Sequence, residues 1–146
     1  MATFPDLSEY TYFAWGTQAD PDAQEQRMLN VGWLGRDLPF ERGAPQSAVV
    51  EALIVLADAP RNLMRGYHYC EFCDAESPIR VAAPVPRGYV NLGNGEIHVQ
   101  GGDGLFYAAP TLIVHYIVEH EYRPPEEFQA AAIEAAKSLP LEDQCD

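Results

Sequence analysis

The sequence predicts an α+β fold, on three observations. Residues 47–59 place apolar side chains at helical spacing, and residues 79–109 switch to a period of two broken by glycine-rich connections. Beyond Pro110 the chain is apolar nearly all round, as a buried helix is.

Taken in order, residues 10–16 (YTYFAWG) are rich in β-favouring aromatics and predict a strand. Residues 17–27 are polar and contain a proline, so they read as a loop or short helical turn, and Leu29–Leu34 as a second strand. The stretch with Gly35, Pro39, Gly43 and Pro45 reads as irregular chain. Ser47 is a suitable N-cap for a helix to Ala59 that Pro60 stops, with Val50, Leu53, Ile54 and Ala57 on one face and Val49, Val55 and Leu56 widening it.

Ile79–Ala83, Gly88–Leu92, Glu96–Gln100 and Leu105–Ala109 predict strands. Gly93-Asn94-Gly95 and Gly101-Gly102-Asp103-Gly104 supply the positive-φ residues of tight hairpins, which makes the last three an antiparallel meander. Alternation turns Ile97 and Val99 to the core and Glu96, His98 and Gln100 to solvent. Pro110 opens a helix to Glu121 whose polar stripe is Thr111, His115 and Glu119. A last helix begins at Pro125 with Glu126 and Glu127, buries Phe128, Ala132, Ala135 and Leu139, and ends at Pro140. Residues 141–146 form a loose tail. Neither a repeat nor a linker divides residues 1–146, which read as a single α+β domain with two to three helices.

A composition 47% hydrophobic and 21% charged excludes disordered, collagen-like and coiled-coil chains. The net charge of −13 excludes general nucleic-acid and anionic-membrane binding and suits a basic protein partner. MATFPDLSEY has no basic-then-apolar leader, and no apolar run approaches the roughly 20 residues of a membrane span, so a cytoplasmic protein is expected. Three cysteines in a reducing compartment make a poor disulfide framework, and Cys145 reads as a free thiol in the tail.

The sharpest local signal is Gly66-Tyr67-His68-Tyr69-Cys70-Glu71-Phe72-Cys73. A zinc-knuckle-like Cys-x-x-Cys turn sets two thiolates on one side, as tetrahedral Zn²⁺ requires, and His115 with His120 can supply the other half. Positions five apart on an ideal helix lie about 140° apart, so the pair can share an ion only if the helix ends or tightens near Glu119. His68 is the substitute ligand if His120 points elsewhere.

Other readings stand beside this one. The two cysteines can be small core residues or a redox pair, although acidic Glu71 opposes the low thiol pKa a redox pair needs. His115 can be a hydrogen-bonded core histidine, and His98 reads as solvated. The zinc-deaminase, HExxH, HxxEH, GxSxG and P-loop patterns are all missing or misplaced.

Gly32-Trp33-Leu34 with Pro39-Phe40, then HYCEFC, then YAAPTLIVHYIVEHEYRPPEEF resemble a small bacterial domain family of unknown function, over residues 29–130. In that family the HYCxFC and HYxxxHxYxPPxEF blocks look like two halves of one metal-binding unit. The resemblance thus implies the same role for Cys70, Cys73, His115 and His120, and adds interest to His68. It implies no activity.

The expectation is a non-enzymatic interaction domain held by structural zinc, such as an immunity-type protein that covers a basic toxin. One alternative is a metal-dependent hydrolase with an open fourth position and Glu119 or Glu121 as base. Another is a small-molecule-binding domain that uses the aromatic strands.

Overall fold

The computed structural model describes residues 5–9, 27–36, 39–58, 69–74, 78–101 and 105–137. The predicted strand at 10–16, the loop at 17–26, His68, the connection at 102–104, the helix stop at Leu139–Pro140 and the tail with Cys145 lie outside them. Eight elements follow one another: β1 (Arg27–Asn30), α1 (Ser47–Ala57), β2 (Ile79–Ala82), β3 (Tyr89–Leu92), β4 (Glu96–Gln100), β5 (Leu105–Pro110), α2 (Ile113–His120) and α3 (Glu126–Lys137). Three helices and two small sheets make the fold α+β, as the periodicities predict.

The predicted meander is corrected. β4 and β5 do pair antiparallel, with Ile97 opposite Ala109, but β3 pairs with β2 in a separate two-stranded sheet. Residues 93–95 close no hairpin because Thr111 holds them instead. The Gly93 N–H donates to Thr111 Oγ1 at 2.8 Å, and the Thr111 N–H donates to the Gly95 carbonyl at 3.0 Å. The third partner in the larger sheet is β1, which runs parallel to β5 with Met28 opposite Phe106 and Asn30 opposite Ala108.

β1 lies earlier than the expected 29–34. It stops where Gly32 adopts φ +81° and turns the chain over α2. A Cβ on Gly32 would stand 2.8 Å from Ile113 Cδ1, and Ile113 is itself buried. Gly32→Ala is therefore expected to cost about 1–3 kcal/mol, from backbone strain and the clash together. Urea denaturation of the purified variant measures it.

Trp33 follows directly into the core, its indole Nε1 donating to the Ala108 carbonyl at 2.9 Å. α1 starts one residue earlier than expected: Gln46 is the N-cap and Ser47, the expected cap, is the first helical residue. Its buried face is Val49, Ala52, Leu53 and Ala57, with Val50 and Ile54 at the margin. Pro110 ends β5 rather than opening α2, and the two-residue turn Thr111–Leu112 separates them. α3 begins with Glu126 and Glu127 and buries Phe128 and Ala132.

Glu96 and His98 are not solvated. Both lie on the second face of the larger sheet, where Met28, Asn30 and Ala108 are also buried, whereas Gln100 on that face is exposed as predicted. Glu96 is fully buried and accepts from His98 Nε2 at 2.7 Å. A charge-capable pair replaces the hydration that both would otherwise keep.

Asp6 ties the N-terminal segment to the far end of the fold. Its carboxylate accepts from the Gly32 N–H at 3.0 Å and from the Tyr122 hydroxyl at 2.7 Å. Burial raises its pKa, and the two hydrogen bonds only partly oppose the rise. A carboxyl raised in the folded state favours folding most when protonated. That contribution is complete below the ordinary value of 3.8 and is lost as the pH rises through the raised one. The stability of the wild type relative to Asp6→Asn should therefore fall as the pH rises above the ordinary carboxylate value of 3.8, as paired urea melts would show. Among the described residues, no helix is long and apolar enough to cross a membrane.

Candidate metal centre

The turn at Cys70–Cys73 is fastened through its two middle residues. Glu71 accepts the Arg36 N–H on Oε1 at 3.0 Å, and its carbonyl accepts Arg36 Nε at 2.7 Å. Phe72 enters an aromatic cluster with Phe40, Tyr116 and the His120 ring, at centroid distances of 5.6, 5.9 and 5.4 Å. The Phe72 N–H points at Cys70 Sγ from 3.3 Å, a donor that favours the thiolate. Cys70 is buried and Cys73 exposed, and both are free thiols.

The opposing half comes from the end of α2, and the way that helix ends removes the geometric objection. The helix runs to His120 and is capped by Glu121 at φ 58°. The Glu121 N–H reaches back to the Tyr116 carbonyl, five residues away, and the Tyr122 N–H reaches the same oxygen at 3.1 Å. The final turn is thus wider than an α turn rather than tighter. A wider turn swings residues five apart towards one side, and the rings of His115 and His120 stand 5.1 Å apart at 73°. Residues 41–43 lock this ending: the Gly43 N–H donates to the Glu121 carbonyl, the Arg123 N–H to the Glu41 carbonyl, and Arg42 Nη1 to the His120 carbonyl.

The two halves meet. Cys70 Sγ lies 3.3 Å from His120 Nε2, and Cys73 Sγ lies 3.4 Å from His115 Nε2. One ligand atom from each of the four residues falls within 4.8 Å of the others, a Cys₂His₂ group that could hold a metal ion. A tetrahedral Zn²⁺ with ordinary bond lengths puts sulfur and nitrogen about 3.6 Å apart, close to both observed pairs.

The surroundings prepare the donors unequally. Burial, reinforced by neighbouring His120, lowers the pKa of His115 and keeps its imidazole neutral, the form that binds a cation. Burial raises the Cys70 thiol against the pull of the Phe72 N–H, so an incoming cation must displace its proton. Burial also raises the Tyr116 phenol beside Cys70, with the Cys70 and Glu71 charges adding to it, and Tyr116 stays protonated.

Among the described residues, the other predicted site residues contribute no donor atom to this group, although Glu119 lines a cavity with Cys73 and His115. His68 lies outside the described residues. Glu119 and Glu121 are exposed on the solvent side of α2 and at its cap. The Arg36 latch on Glu71 and the aromatic seat of Phe72 were not predicted, because their partners lie far away in sequence.

No curated protein and no solved structure matches the chain. The family model described as Domain of unknown function (DUF7919) matches residues 2–133. The match takes in both cysteines, both histidines and every element except the last turn of α3, and on that extent the chain belongs to this family of unknown function.

Proposed function

We propose that Cys70, Cys73, His115 and His120 bind one Zn²⁺ as a structural ion. We read the domain built around it as a non-enzymatic interaction module for a basic protein, in a reducing compartment. The observation that carries the metal reading is the convergence of four donor atoms within 4.8 Å from two distant segments. Two thiolates and two imidazoles are the donor set zinc prefers, and four protein ligands close the tetrahedron. A metal-dependent hydrolase needs an open position for water, and this set leaves none.

The partner reading is supported by the net charge of −13, which steers basic surfaces towards the chain and phosphate backbones away. An immunity-type protein that covers a basic toxin, such as a nuclease, is its most concrete form in a bacterial setting.

Elemental analysis of protein purified without added metal is the direct test. About one zinc per chain is expected, with two of the three thiols shielded from a thiol reagent until a chelator is added. Metal-free protein with an unchanged fold and three reactive thiols would overturn the metal reading.

A further inference from the structure

A cavity of about 490 Å³ opens between β2 and the helices, a volume typical of pockets that seat a ligand or an anchoring side chain. Its apolar wall is Ile54 from α1, Ile79 and Val81 from β2, and Val114 and Val118 from α2. Val118 is 45% exposed, an unusual solvent contact for a valine beside such a wall. Cys73, His115, Glu119 and Arg80 complete the lining.

Arg80 does not bring its guanidinium to this cavity. That group stacks 3.9 Å over Tyr89 on the other face of the strand, and its Nε donates to Asn91 Oδ1 at 3.2 Å. What Arg80 offers here is main chain, and the strand register says which way that main chain points. The Ala83 N–H donates to the Gly88 carbonyl at 3.1 Å, which makes those opposed residues a hydrogen-bonded pair. Pairs alternate along an antiparallel ladder. Val81 with Val90 and Ile79 with Leu92 are therefore bonded, whereas Arg80 and Ala82 turn their N–H and C=O groups to the outer edge. Among the described residues, no strand pairs with that edge.

We propose that the outer edge of β2 and the adjoining cavity form a docking groove for an extended, basic segment of a partner protein. The segment adds as a strand to Arg80 and Ala82 and drops an aliphatic side chain between Val81 and Val118. Strand addition draws affinity from the main chain and specificity from a pocket for alternate side chains, and both components adjoin here. The charge of the occupant follows from Glu119 at the cavity and from the net charge of −13. The inference rests on the basic-partner reading and specifies where and how that partner engages.

The test uses the full chain, its zinc content verified, and a fluorescein-labelled hexapeptide of alternating lysine and isoleucine read by anisotropy. A second peptide of the same sequence is N-methylated throughout, which keeps the charge and side chains but removes every main-chain donor. The expected result is binding of the first peptide, at least tenfold weaker binding of the second, and shifted amide resonances at Arg80 and Ala82. Ala82→Pro removes only an outward N–H, and edge strands tolerate proline. It should weaken the first peptide at least tenfold, as should Val118→Arg, which fills the cavity mouth with a cation from an already exposed position.

Equal binding of the two peptides would overturn the groove and leave the basic-partner reading standing. Binding of neither at millimolar peptide would overturn both. A dimer that Ala82→Pro splits into monomers would also overturn the proposal, because the edge would then belong to a second copy of this chain.

Discussion

Chelation of the purified protein is expected to unfold it, or to lower its melting temperature by tens of degrees. Structural zinc in small domains contributes roughly 10–16 kcal/mol of apparent binding energy, as large as the whole stability of an ordinary domain, about 5–15 kcal/mol. Here the ion would join a turn and a helix end that otherwise touch through two thiol–imidazole contacts and the seat of Phe72.

Cys70→Ser should approach the effect of chelation, because it removes a ligand and leaves a hydroxyl at a buried position. Cys73→Ser, at an exposed position, should lose metal with less damage to packing. Thermal melts with and without chelator, paired with metal content, separate the two variants. A chelated protein that melts at the native temperature would show that hydrophobic packing alone holds the turn.

The second large effect is expected at Trp33. Its side chain is 1% exposed, so truncation to alanine opens a cavity beside Ala108 of β5 and should cost about 3–5 kcal/mol. Trp33→Phe divides this cost. It keeps most of the ring and deletes the indole N–H. The Ala108 carbonyl also accepts the Val31 N–H at 3.0 Å and so keeps one donor. The hydrogen-bond share should therefore be near 1 kcal/mol. Denaturant midpoints for the two variants should differ accordingly, and equal midpoints would assign the whole effect to the hydrogen bond.

Local periodicity made α1, α2, α3 and the β4–β5 hairpin legible, because each of these elements is specified by neighbours within a few residues. The parallel pairing of β1 with β5 was not legible, since nothing near Met28 names a partner strand on the far side of the chain. Alternation placed Ile97 and Val99 correctly but turned Glu96 to solvent. A period of two distinguishes the faces of a strand without saying how far each is covered. The donor set was suggested by residue type and spacing. What brings His115 and His120 together is the left-handed Glu121 and the wide final turn, and no residue there signals left-handed backbone as a glycine would.

The pairing of β1 with β5 also bears on how the chain assembles as it is made. Residues 27–30 have no place in the larger sheet until residues 105–110 have emerged from the ribosome, and Asp6 waits for Tyr122, 116 positions later. Such distant closures are slow and leave early segments uncovered during synthesis. A nascent chain halted before Leu105 would carry β1 without its neighbour, a natural substrate for chaperones until β5 arrives.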